Sequence, residues 1–161
     1  MLEYPDEQDI GNGIGPQLVF VLKQAEDFHG HLGPFLVIGV RAGLVGLEKL
    51  KTGRSDRELS TTVMLEYFVP FSCVVDGVQI TTGCTIGNKR LTLEDSSGIA
   101  VRLKKNGVNV EIAVNSVTLG KLKKQLPVGN VKTDQARKLA YAVASMEESD
   151  LFNVKLERAS S

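Results

Sequence analysis

From Pro16 onward, apolar residues recur at three- and four-residue steps. Leu18, Val21, Leu22, Ala25 and then His29 fall on one stripe, the period of a helix buried on one face. Pro16 suits the first turn of that helix, and Gly30 followed by Gly33-Pro34 interrupts the run. Pro34 opens a second helix, predicted over about residues 35–50, that is apolar on most sides and so belongs in the middle of a core. Its Gly39 and Gly43, four apart, leave room for another backbone to come close. Residues 61–68 alternate and are β-rich, which predicts a strand. Residues 73–82 carry two patterns at once. Val74, Val75, Val78 and Ile80 favour a strand, whereas Cys73, Asp76 and Ile80 share a helical stripe.

Three further strands are predicted over residues 91–94, 99–104 and 108–115. Ser96-Ser97-Gly98 and Asn106-Gly107 mark the turns between them, and Asn-Gly is a strong two-residue hairpin signal. Ser116 is placed to cap a short basic helix that stops before Pro127. Thr133 or Asp134 opens a longer helix to about Glu148, with Ala136, Leu139, Ala140, Val143 and Met146 inward. Residues 151–156 add a final strand. Helices at both ends of a mainly antiparallel group of strands make an α+β fold. Residues 1–14 read as a loose lead-in to a single domain over 15–161. Gly11, Gly13 and Gly15 follow no strand and lack the spacing of a dinucleotide-binding loop.

Composition narrows the function classes. The chain has 161 residues, 42% hydrophobic and 24% charged, which fits one globular domain and excludes a mainly disordered or collagen-like chain. Nineteen basic residues balance nineteen acidic ones, so no overall field draws the protein to nucleic acid. The longest uncharged apolar run, residues 32–40, is too short to span a membrane. The acidic, polar start MLEYPDEQDIGNG does not read as a secretory signal. Two cysteines, Cys73 and Cys84, are too few for a secreted disulfide framework, so a reducing cytoplasm is the expected location.

Three segments hold the unusual chemistry. Phe28-His29-Gly30-His31 contains both histidines of the chain. Two residues apart, their imidazoles do not share a helix face, but they can converge where a helix ends on a flexible glycine. The second segment is Cys73 with Asp76 and Gln79. The third is Thr82-Gly83-Cys84-Thr85-Ile86-Gly87-Asn88, whose glycines allow a tight ligand loop. Neutral imidazole and thiolate are the donors that Zn²⁺ and its neighbours prefer, although the spacing matches no zinc-finger pattern. Taken alone, His29 also reads as a core histidine, and each cysteine as a small buried hydrophobe. Arg41, on a mostly apolar helix, needs a partner. That partner is Asp76, Asp95, helix-end carbonyls, or an anionic ligand gripped in bidentate fashion. The basic runs at residues 49–57 and 121–124 read as solvated faces.

Taken together, these segments resemble the core domain of the FmdE family, named for the E component of formylmethanofuran dehydrogenase. The matching residues are His29-Gly30-His31, Pro34, Gly39 and Arg41, then Cys73, Asp76 and Gln79, then Thr82-Gly83-Cys84-Thr85 with Gly87 and Asn88. Two departures stand out. The position that is often Cys in the first motif is Gly33, with Phe35 at the following Gly. The cysteine-rich zinc module of longer members is not expected, because these 161 residues hold only two cysteines. The resemblance implies an α+β core, a homodimer, and a pocket holding a divalent transition metal, with zinc the first expectation. It also implies a link to one-carbon metabolism and to a formylmethanofuran dehydrogenase-type complex. On that basis His29, His31 and Cys84 are the expected metal ligands, and Cys73 is a fourth. Asp76 and Cys73 are the catalytic candidates, with Asp76 orienting a histidine or acting as general base. Arg41, Gln79, Thr85 and Asn88 are the expected ligand-binding residues. Such a protein is either an enzyme or an accessory to one-carbon redox chemistry. The rivals are a non-catalytic assembly or ligand-binding subunit whose motif residues serve the fold, and a thiol redox protein pairing Cys73 with Cys84.

Overall fold

A computed structural model describes residues 14–126 and 133–159. All but the last residue of the lead-in expected over residues 1–14, the stop at Pro127 and the Thr133 capping side chain lie outside the described residues. Along the chain run α1 (Pro16–His29), α2 (Pro34–Lys49), β1 (Ser60–Met64), α3 (Cys73–Thr82) and β2 (Leu91–Glu94). They are followed by β3 (Ala100–Lys105), β4 (Val108–Val114), α4 (Ser116–Gln125), α5 (Thr133–Ser145), α6 (Glu148–Leu151) and β5 (Phe152–Arg158). The strands form one sheet in the order β2-β1-β3-β4-β5. Only the β1–β2 pair is parallel; the other three pairs are antiparallel. The α+β class expected from the sequence is the observed one.

Alternation sorts the sheet into two faces. Val63, Val101 and Ile112 stand in register on the buried face, beside Leu103 and Val110. The opposite face carries the Thr62–Thr92 hydroxyl pair and the Arg102–Glu111 ion pair at 2.8 Å. Against the buried face lies α2, whose Phe35, Leu36, Val37, Ile38 and Val40 are buried. α3 and α5 pack on α2 as well, so most of its apolar surface is buried within one chain. The small residues explain the fit of α3. A Cβ on Gly39 would collide with the Val74 carbonyl, one on Gly43 with the Thr81 hydroxyl, and one on Gly77 with the Leu36 carbonyl. Gly39 and Gly43 thus seat α3. The close approach that the glycine pair allows is made by α3 of the same chain.

Several boundaries differ from expectation for identifiable reasons. Residues 73–82 are helical: Gly77 and the backbone of α2 meet at a distance no side chain would allow, and Val74, Val75 and Val78 are buried. β1 ends at Met64, not Phe68. Leu65 still pairs with Glu94 and Ser96 through its backbone, after which the chain leaves the sheet and exposes Tyr67, Phe68 and Val69. The cap of α4 is Asn115, whose side chain accepts from the N–H groups of Val117 and Thr118, rather than Ser116. The long helix ends at Ser145, and α6 begins at Glu148. Asn106 and Gly107 both adopt positive φ, the conformation of a two-residue type I′ hairpin, as their sequence indicated.

Candidate functional site

α1 ends on His29 because Gly30 takes a left-handed conformation, φ 101°, and its N–H returns to the Glu26 carbonyl. That turn carries the chain from one imidazole to the next within a single residue. Across from it, the first turns of α3 place Cys73, Asp76 and Gln79 at three-residue steps on one helix face. His29 Nδ1 donates to Asp76 Oδ2 at 2.6 Å, which fixes the ring's orientation. In the neutral ring the lone pair is then on Nε2, and Nε2 is buried without a hydrogen-bond partner. The His31 ring lies beside it, with centroids 4.7 Å apart and planes tilted by 41°.

Burial favours the neutral forms of His31 and Cys73. Burial pushes the His31 pKa down, the neighbouring His29 lowers it further, and Glu26 opposes both. Burial pushes the Cys73 thiol up, and the Asp76 carboxylate adds to the rise, so Cys73 is not a preformed thiolate at neutral pH. The second oxygen of Asp76 accepts from Gln79 Nε2 at 3.4 Å, and Gln79 Oε1 accepts from the Ile86 N–H at 3.0 Å. Gln79 therefore ties the carboxylate to the loop after α3. His31 and Cys73 line a common cavity of about 290 Å³.

The other expected residues are engaged elsewhere. Cys84 is fully buried in the core, its backbone N–H donates to the Thr82 hydroxyl, and its thiol faces the Leu59 carbonyl at 3.5 Å. The convergence of His29, His31 and Cys84 expected from the sequence is not observed. Among the described residues no group of three or more His, Cys, Asp or Glu side chains is placed to hold a metal ion. Both cysteines are free thiols. Thr85 and Asn88 bond to one another through side chain and backbone, and Asn88 also reaches the Gly83 carbonyl and the Arg90 N–H. They build the loop itself. Arg41 donates through Nη1 to the carbonyls of Val143 and Met146 at 2.8 and 2.6 Å, the helix-end alternative among its possible partners.

One feature of the site was not read from the sequence. Arg137 on α5 pairs with Glu26 on α1 and lies against Tyr141, fastening α5 beside the histidine turn. Their signal was faint: an Arg and a Tyr four apart on a helix, with Glu26 one turn before His29. Gly33 lines the same cavity as His31 and Cys73, and a Cβ placed there would lie 3.7 Å from His31 Nε2, in ordinary contact.

The family model described as FmdE, Molybdenum formylmethanofuran dehydrogenase operon, matches residues 28–153. The chain belongs to the FmdE family. The match takes in both histidines, α3 and strands β1 to β4, and stops at the start of β5. A curated relative, the probable S-adenosyl-L-methionine-binding protein of Archaeoglobus fulgidus, is 32% identical over 107 residues. That alignment covers 65% of this chain and 29% of the relative, so the chain spans less than a third of that protein's length. A tungsten formylmethanofuran dehydrogenase FmdE-like protein of Syntrophus aciditrophicus shares the fold, with a TM-score of 0.62 and 18% identity. The superposition covers 93% of this chain and 78% of the other. Among the described residues no helix is long and apolar enough to cross a membrane.

Proposed function

We propose that this FmdE family protein binds a divalent transition metal at the His29 turn and serves one-carbon redox metabolism beside a formylmethanofuran dehydrogenase-type complex. The observation that carries this reading is the His29–Asp76 pair: Nδ1 held at 2.6 Å by a carboxylate, with Nε2 buried and unpartnered. A carboxylate–histidine pair with a free second nitrogen is the arrangement that orients and strengthens a metal-binding imidazole. His29 is the first ligand of the proposed site, His31 and Cys73 are the additional donors beside it, and Asp76 is the orienting group. Zinc is the first metal to test. Bound there with an open position, it would supply Lewis acidity and a water of lowered pKa. The chain's own part is to hold the His29 ring in one tautomer, keep His31 neutral, and shield the site behind α1 and α3.

The proposal includes a cytoplasmic homodimer. Its support is the exposed apolar loop at Tyr67, Phe68 and Val69, together with exposed Phe28 beside the histidine turn, since contiguous apolar surface marks interaction sites. A second reading, a non-catalytic ligand-binding or assembly subunit, is favoured by one observation: the described residues contain no ready group of three donors. S-adenosylmethionine, named for the relative, is then the first ligand to try.

Metal analysis of protein purified without a histidine tag, paired with free-thiol titration, decides between them. The metal reading expects one zinc per chain and a protected Cys73. Absence of metal after zinc loading, with Cys73 freely reactive, would leave the assembly reading. Loss of both thiols under mild oxidation would instead revive the Cys73–Cys84 redox pair.

A further inference from the structure

The cavity of about 290 Å³ at the start of α2 differs in chemistry from two larger depressions among the described residues. Those two, of about 690 and 610 Å³, are rimmed by charge: Glu48 and Arg54 in the first, Lys121 and Asp150 in the second. No carboxylate, lysine or arginine is among the described residues lining the smaller cavity. Its wall is Pro34, Phe35 and Leu36 from the first turn of α2, with Val69 and Pro70 from the loop before α3. Leu126 and Ala136 add apolar surface from α4's end and from α5. Among these described residues the polar side chains are His31 and Cys73 alone. The carboxylates around the histidine turn are already engaged, Asp76 by His29 and Glu26 by Arg137.

An organic ion placed against such a wall would lose hydration and meet no opposite charge among the described lining residues. That costs more than apolar contact returns, whereas the proposed metal gains coordinate bonds from its donor side chains. The volume is also at the lower edge of the range that holds drug-sized ligands, roughly 300–1,000 Å³. We infer that this cavity binds a small uncharged molecule, with an apolar body against Phe35, Leu36, Val69 and Pro70 and one hydrogen-bonding group directed to His31 or Cys73. The inference rests on the proposed function only in treating His31 and Cys73 as part of a working site.

Cys73 is a built-in reporter, because it lines the cavity while Cys84 is fully buried. The test follows alkylation of each thiol of the metal-free protein by iodoacetamide, read by mass spectrometry. Benzyl alcohol is the uncharged probe; benzoate and benzylamine are charged counterparts with the same ring. Benzyl alcohol is expected to slow alkylation of Cys73 by the factor 1 + [L]/Kd, about tenfold at about nine times Kd. The charged counterparts are expected to leave the rate unchanged. Gly33→Val, which fills the cavity from a backbone conformation open to any residue (φ −136°), should abolish the protection while Cys84 stays unreactive. Should that variant fail to fold, Gly33→Ala is expected to weaken protection measurably. Equal protection by benzoate or benzylamine, no protection by benzyl alcohol, or unchanged protection in a folded Gly33→Val protein would each overturn the inference. Zinc binding is titrated separately on the same protein, so failure of the fragment experiment and failure of the metal reading give different results.

Discussion

Asp76 acts through both of its oxygens, one on His29 and the other on Gln79, and its replacement separates orientation from packing. Asp76→Asn keeps the shape but removes the charge that holds the imidazole, so zinc affinity is expected to fall by about 10- to 100-fold. Competition titration with a chromogenic chelator checks this, and an unchanged affinity would remove Asp76 from the site. Cys84 makes the contrary case. Because its thiol faces the Leu59 carbonyl in the core, Cys84→Ser is expected to leave zinc affinity unchanged and to cost about 1–3 kcal/mol of stability, read from denaturant unfolding. At Gly33 a side chain has room beside His31 Nε2. Gly33→Cys is therefore expected to tighten zinc binding by supplying a thiol to the same cavity. The residue scale was partly legible in advance. The glycine turn that sets His29 beside His31 and the three-residue steps that put Cys73 and Asp76 on one face of α3 are local geometry, whereas the meeting of His29 with Asp76 depends on how α1 and α3 dock. Cys84 misled because flanking glycines show that the backbone bends there, not which way the side chain then points.

At the scale of elements, close packing of α2 and α3 decided what propensity left open. Val74, Val75 and Val78 suit a strand as well as a helix, and only the partner helix tells which. At Gly39 and Gly77 the two backbones themselves meet, so Gly39→Ala or Gly77→Ala is expected to destabilise the fold by about 3 kcal/mol or more. Gly120 is the control. It lies within α4 with open space where a Cβ would stand, and Gly120→Ala should instead stabilise by up to about 1 kcal/mol. Thermal unfolding of the three variants gives the comparison. Arg41 works on the same scale, holding the end of α5 through two carbonyls. Burial lowers its pKa, with Glu148 and Glu147 opposing the fall. The sequence showed that a guanidinium on this helix needs partners. The partners themselves lie about a hundred residues away and follow only from the docking of α5 on α2.

At the scale of the whole molecule, helices cover one face of the sheet and a polar ladder occupies the other. The α+β class was readable from the order of elements, and the β3–β4 hairpin from Asn106-Gly107. The parallel β1–β2 pair was not, since no local pattern distinguishes a crossover from a meander. Asp56, outside the sheet, joins the loop after α2 to β3 through Lys105 Nζ at 2.6 Å and Thr52 Oγ1 at 2.7 Å. The Lys105 hydrogen bond is the largest of the contacts that hold its carboxyl well below the usual range. A carboxylate with a depressed folded pKa contributes stability that is present above its unfolded value, about 3.9, and is lost as pH falls toward the folded one. Asp56→Asn is therefore expected to be less stable than the parent at neutral pH, and the gap should close as the pH drops below about 4. Denaturation midpoints across that window test the sign.

The single parallel pair also sets an order of assembly. β3 and β4 meet over a two-residue turn, whereas β1 and β2 can pair only after the chain has travelled through residues 65–90, and that excursion includes α3. Closing a long excursion loses more chain entropy than closing a tight turn, and distant contacts form slowly. Asp76 and Cys73 ride on that excursion. In pulsed hydrogen exchange the β3–β4 amides should gain protection before those of β1–β2, and His29 should meet its carboxylate only in the later phase.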